Sequence, residues 1–254
     1  MFSGFSLEIR NEDFFSYKVK GDEQFNSNKR IIEAEIDKFM FKDGAIDGSA
    51  MQESWFPQIN ADIFISHSHA DEDQAIAFAG WIKGEFGLNA FIDSSVWGYA
   101  DKLLKKIDDE FCKNPDGSTY SYEKRNNSTS HVHMMLSTAL TMMIDKTECV
   151  IFLNTPNSID STEVINRTKS PWIYYEIGVT KSIRKKEPEE RLKEIIKKGI
   201  FENAQALSIK YNLDIDHLSE IDHSDLLDWK RASIATKDEH PLDTLYKKHG
   251  LLGY

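Results

Sequence analysis

Trp172 and Glu176 stand four residues apart in the stretch Ser170-Pro171-Trp172-Ile173-Tyr174-Tyr175-Glu176-Ile177-Gly178-Val179. Ser followed by Pro is a helix start: the Ser hydroxyl takes an orphan backbone donor, and Pro at the first helical position has its φ preset and loses no bond. Residues four apart lie one turn apart on a helix. The spacing therefore predicts an indole and a carboxylate side by side near the N-terminal end, where the helix dipole favours negative charge. A flat aromatic ring beside an acid suits a sugar-nucleotide. The plainer reading is a core Trp followed by an early-helix Glu, and most matches to this spacing carry no chemistry.

Other chemically capable residues cluster in polar stretches that follow apolar ones. His67-x-His69 and His131-x-His133 form two pairs with the spacing of metal ligands, but no companion Cys or Asp cluster completes a site, and no metal is expected. A phosphate-binding role suits His67 or His69 better, because both lie in the loop that should follow a strand. Lys181, Arg184, Lys185 and Lys186 read as an ordinary charged helix end. No G-x-G-x-x-G and no Walker motif occurs.

The elements that must position these groups alternate between two periods. Ala61 to Ser66 is a short β-branched and aromatic run, read as a buried parallel strand, with His67 to Asp71 as its loop. From Glu72 the period turns helical, with Ala75, Ile76, Ala79, Ile82 and Phe86 on one face and Gly87 closing the helix. Leu88 to Ile92 is a second strand, completing a right-handed β-α-β unit, and Asp93 to Tyr99 is read as its loop. Ligands of open parallel sheets bind beyond the carboxyl ends of strands, so the loops after Ser66 and Ile92 should line one crevice. Asp101 to Phe111 and Val132 to Ile144 read as helices, with a polar stretch from Asn114 to Ser130 between them as a functional loop or insertion. Cys149 to Leu153 is the third strand, followed by the polar loop Asn154 to Ser158. Lys181 to Lys198 reads as a solvated helical face, Ala206 to Leu213 as a fourth strand, and Leu226 to Ala232 and Pro241 to Lys248 as short helices. Residues 1–60 contain one amphipathic run, Lys29 to Phe41, and are read as an ordered, mainly helical N-terminal extension.

Composition sets the outer limits. The chain has 254 residues, 40% of them hydrophobic, enough for one sizeable α/β domain with an appendage. Against 31 Lys and Arg stand 42 Asp and Glu, a formal charge of −11 that disfavours nucleic acid and anionic membranes as partners. The two cysteines, Cys112 and Cys149, lack zinc-like spacing and point to a reduced, cytoplasmic setting. The N-terminus lacks the pattern of a secretory signal, and no apolar run approaches a membrane span.

Taken together, residues 61 to 183 resemble the TIR (Toll/interleukin-1 receptor) domain. The resemblance rests on Asp62 to Asp71, on Leu88 to Asp93 with the loop to Tyr99, on Val150 to Asn154, and on Ser170 to Glu176. It implies a three-layer, flavodoxin-like α/β fold for residues 61–254: a central, mostly parallel sheet flanked by helices, with an insertion at about 114–130 and an ill-defined C-terminal part. The Trp172-x-x-x-Glu176 pair looks like the signature of bacterial TIR domains that cleave NAD, and the whole resembles the TIR component of Thoeris-type anti-phage systems. The resemblance makes Glu176 the catalytic acid of an NAD glycohydrolase or cyclase, with NAD as substrate and no further cofactor. Ser66, His67 and His69 would then serve phosphates, Asp93 and Trp97 a ribose or base, and Trp172 the pocket wall. Tyr175 is adjacent but faces about 100° away on a helix. Implied partners are further TIR domains, through self-association, and an effector protein sensing the product. The second functional reading is an adaptor that only self-associates.

Overall fold

Five strands, β1 (Ser3–Leu7), β2 (Ile63–Ser66), β3 (Ala90–Ile92), β4 (Cys149–Leu153) and β7 (Ser219–Ile221), form one parallel sheet in the order β3-β2-β4-β1-β7. Two two-residue strands, β5 (Arg167–Thr168) and β6 (Tyr211–Asn212), pair antiparallel apart from it. The helices are α1 (Lys18–Ile36), α2 (Gly48–Trp55), α3 (Glu72–Phe86), α4 (Ser94–Ile107), α5 (Tyr122–Lys146), α6 (Pro171–Ser182), α7 (His223–Ala235) and α8 (Pro241–Lys248). The computed structural model describes residues 3–10, 13–36, 48–159, 167–168, 170–183, 211–212, 215–236 and 239–252. Among them, no helix is long and apolar enough to cross a membrane.

The sheet divides the core into faces. Ile63, Ile65, Ile151, Leu153, Phe5 and Leu7 pack with α3, α7 and α8, whereas Phe64, Phe91 and Val150 pack with α2, α4 and α5. Phe152 sits with Ile173 and Ile177 of α6 in a third cluster. The chain leaves β2 through α3 to β3 on one side, then returns through α4 and α5 to β4 on the other. The reversal of strand order between β2 and β4 makes their carboxyl ends a topological switch point, the usual ligand crevice of such sheets.

The strands and helices after residue 61 follow the apolar patterning closely. The third strand, Cys149–Leu153, and the helix Pro241–Lys248 have the bounds that periodicity predicts. Gly87 closes α3 at φ 71°, its N–H donating to the Lys83 carbonyl at 3.2 Å.

Four expectations change. The N-terminal segment contributes to the sheet: β1 lies between β4 and β7, with Phe5 and Leu7 fully buried. β1 therefore takes the fourth place of a flavodoxin-like order, which a strand following the third in sequence would otherwise fill. Gly4 fits there because a side chain would meet Leu218, whose Cδ2 lies 2.6 Å from the position of a Cβ. Next, the stretch after Ile92 is not a loop. Asp93 caps α4 at once, its carboxylate accepting from the Ser94 N–H at 2.9 Å. The insertion at 114–130 is half helix, because Ser121 caps α5 and the polar residues from Tyr122 onward form its solvent face. Only the turn before it, with Gly117 at φ 67° and Lys113 bridged to Tyr120, is irregular. Finally, the last sheet position is filled by Ser219–Ile221; of the expected strand at 206–213, Tyr211 and Asn212 belong to the small antiparallel pair and the rest lies outside the described residues. Most of the charged stretch 181–198, and residues 37–41 of the amphipathic run, also lie outside them.

α1 binds the rest of the domain by backbone approach. A Cβ at Gly21 would lie 1.9 Å from the Ile76 carbonyl oxygen, and one at Gly80 would lie 2.1 Å from that of Tyr17. Any side chain at either position forces α1 away from α3.

Candidate functional site

Ser66 and Asp93 lie abreast at the carboxyl edge of the sheet, because the parallel register pairs Ile65 with Ile92 and each is the next residue. Ser66 also pairs with Phe152 of β4, which places it at the switch point. Glu176 reaches this edge from above. Ile173, Glu176, Ile177 and Thr180 are the buried residues of α6, so the acid occupies a place in the helix's core-facing stripe. The helix starts as the sequence predicts: the Ser170 hydroxyl accepts from the Ile173 N–H at 3.2 Å, and Pro171 is at the first turn.

The Ser66 hydroxyl donates to Oε2 of Glu176 at 2.6 Å. The carboxyl of Asp93 is in hydrogen-bond contact with that of Glu176. Oδ1 of Asp93 is 2.7 Å from Nδ1 of His67, without the alignment of a hydrogen bond. The His67 ring stacks on the Trp97 indole at 5.4 Å and 15°, and His69 meets the same indole at 5.8 Å and 48°. Ser66, His67, Asp93 and Glu176 are all 0% exposed.

Burial dominates the electrostatics. It pushes the Glu176 carboxyl well above its ordinary range, and the neighbouring Asp93 carboxylate pushes it further. Burial likewise raises Asp93. It lowers His67 to about 4, against the opposing pull of Glu176, Glu72 and Asp71.

The protein does not satisfy this cluster. Beyond the contact between the two carboxyls, both ring nitrogens of His67, the hydroxyls of Ser94 and Ser95 and the indole N–H of Trp97 are buried without a hydrogen-bond partner. Native proteins leave few such groups, and each costs free energy unless something polar joins it. Here donors and acceptors gather at one edge, the pattern a polar, hydroxyl-bearing ligand would complete.

The loop after β4 closes the other side of the crevice. Asp71 accepts from the Thr155 hydroxyl at 2.5 Å and from the Asn157 amide at 2.7 Å, and the Ser158 hydroxyl donates to the Leu153 carbonyl at 2.8 Å. These bonds tie the β2 loop to the β4 loop across the switch point.

Ser66, His67, Asp93, Trp97 and Glu176 thus come together, with His69 at the margin. Trp172 and Tyr175, on the same helix, make contacts with α5. Trp172 is edge-on to His133 of α5 at 5.9 Å, and the Tyr175 hydroxyl donates to the Ser137 carbonyl at 2.8 Å and bonds to Thr141. At roughly 100° per residue, 172 and 175 fall on one side of Glu176 and 173, 177 and 180 on the other. The first pair therefore meets α5 while the others cover the sheet. Ser94, Ser95 and Asp71 were not singled out by sequence; the signal available for the serines was their position directly after Asp93. Among the described residues, no three or more His, Cys, Asp or Glu side chains are grouped to hold a metal ion. In comparison with known proteins, no family model matches the chain, and no curated protein and no solved structure is significantly similar to it.

Proposed function

We propose that this chain is a TIR-type NAD glycohydrolase or ADP-ribosyl cyclase, releasing nicotinamide and a linear or cyclic ADP-ribose product as part of cytoplasmic anti-phage immunity. The observation that carries the reading is the place of Glu176: a carboxyl at the carboxyl ends of β2 and β3, held by Ser66 among buried polar atoms that lack protein partners. Breaking the bond between nicotinamide and ribose develops oxocarbenium character, and a carboxylate beside the anomeric carbon stabilises it. Nicotinamide leaves without protonation, so no separate acid is required. Asp93 and the Ser94 and Ser95 hydroxyls suit ribose hydroxyls, and Trp97, stacked on His67, offers a flat wall. Trp172 and Tyr175 support α6 from the α5 side. Because the four central groups are fully buried, substrate reaches them only when the cover over the strand ends shifts. Self-association with other copies would supply that shift, and an effector would read the product.

The same burial favours a second reading, an association module in which the cluster does no chemistry. One measurement separates the two: purified protein incubated with NAD, with nicotinamide release followed beside a Glu176→Ala variant. The enzyme reading requires release by the native chain and its loss in the variant. Release retained by Glu176→Ala overturns the site, and none under any assembled or phage-triggered condition favours the association module.

A further inference from the structure

A carboxylate that stabilises an oxocarbenium ion must be ionised, yet Glu176 is packed at zero exposure against a second acid. We propose that Glu176, Asp93 and His67 form a proton-holding chain in which the two carboxyls share one proton at rest and His67 takes it up when a cationic glycoside binds, leaving Glu176 ionised. For its substrate the chain rests on the NAD-cleaving reading; for its existence it rests on the burial and mutual contacts of the three side chains.

Two carboxylates in contact and out of water do not both carry charge unless a cation joins them, because repulsion and desolvation add. A hydrogen bond between two carboxyls itself requires one proton. The third member is in place: Nδ1 of His67 is 2.7 Å from Oδ1 of Asp93, both ring nitrogens are without a hydrogen-bond partner, and the ring is fixed by the Trp97 indole. Burial keeps the imidazole neutral, so one nitrogen has a free lone pair. The transfer balances within the cluster: a carboxyl O–H breaks, an imidazole N–H forms, and the net charge stays at minus one. A pyridinium cation beside Glu176 favours the second arrangement by stabilising the new carboxylate. Asp71 and Glu72, at the start of α3, favour the imidazolium. The other facing groups are His69 across Trp97, Tyr175 on α6 and the hydroxyl of Ser66. In this chain His67 is a positioning residue acting through Glu176, and Asp93 acts on Glu176 besides facing the ribose.

The test has an arm that needs no substrate. Carbon-13 NMR titration of the side-chain carboxyls in the full chain should show Glu176 and Asp93 titrating as a coupled pair in two separated steps. In Asp93→Asn, which retains a cap for α4, the Glu176 midpoint should fall by about one pH unit or more. Asp93→Ser is the second variant where Asn fails to fold. A Glu176 midpoint unmoved in a folded variant, or two carboxyls titrating independently in the ordinary range, overturns the chain. In the catalytic arm, with NAD as probe, His67→Gln should lower kcat about tenfold or more with KM little changed. Asp93→Asn should displace the pH profile of nicotinamide release as it displaces the NMR midpoint. An unchanged kcat and profile in both variants overturns the relay. A native chain that releases no nicotinamide sinks the NAD-cleaving reading and leaves the NMR arm to decide the proton pair.

Discussion

Asp108 and Glu176 are both buried acids, and their surroundings are opposite. Asp108, in the π-helical turn Asp108–Cys112 that continues α4, is 4% exposed and accepts from Nε of Arg125 at 2.8 Å and from the Ser128 hydroxyl at 2.6 Å. Its charge is answered by a cation that itself lies over the Tyr120 ring. Glu176 receives one hydroxyl and, instead of a cation, another acid. The first arrangement is what a fold does with a charge it keeps for its own structure. The second leaves polar atoms open and stores unfavourable electrostatics at the strand ends of a parallel sheet, the usual ligand crevice of such folds and the mark of a site that a fold pays for elsewhere.

The largest test of this contrast is on activity. Glu176→Ala should lower nicotinamide release by roughly 10²–10³-fold, the scale of removing one electrostatic stabiliser, while Asp108→Ala should leave the rate per folded molecule unchanged. The next is on acid stability. His67 binds protons at about 4 when folded and near 6.5 when unfolded, so the unfolded chain holds the extra proton between those values and stability is lost as pH falls through them. The loss should be about 3 kcal/mol, and His67→Gln should flatten it in urea titrations at successive pH values. The raised carboxyls act with the other sign: their contribution is present at low pH and fades as pH rises through their folded values, so Glu176→Gln should flatten the alkaline side.

At pH 7 the two acids should also part in their structural weight. Asp108→Ala removes the buried acceptor of both the Arg125 and the Ser128 bonds and should cost about 2 kcal/mol in urea unfolding. Glu176→Gln, which replaces a poorly satisfied acid by a neutral group of the same shape, should change stability by less than about 1 kcal/mol. The smallest effect is expected at Tyr175→Phe. Loss of the bonds to Ser137 and Thr141 should cost about 1 kcal/mol with nicotinamide release unchanged, whereas a large drop in release would return Tyr175 to the substrate site.

The site was legible wherever its residues sit at an element boundary. Ser170-Pro171 announced α6, the apolar run to Ser66 announced the end of β2, and the run to Ile92 put Asp93 at the next strand end. Legibility failed where one residue had to choose between neighbours. The four-residue spacing put Trp172 one turn from Glu176 on α6, where it stands, but that the indole meets His133 of α5 while the acid meets Ser66 depends on distant segments. It failed also at β1, where five residues carry only two large apolar side chains, too short a pattern to register. The polar start of α5 read as a loop because Asn, Ser and Thr are weak helix formers, and packing further along that helix overrode them.

By itself the sequence determined the local alternation of strand and helix, the caps and the residues at strand ends, because each depends on neighbours a few positions away. Only the tertiary structure decided that the N-terminal strand enters between β4 and β7, and that Glu176 meets Asp93, Ser66 and His67. These are pairings between distant segments. Register and helix rotation fix them, and both follow from burying the apolar stripes of the whole domain at once.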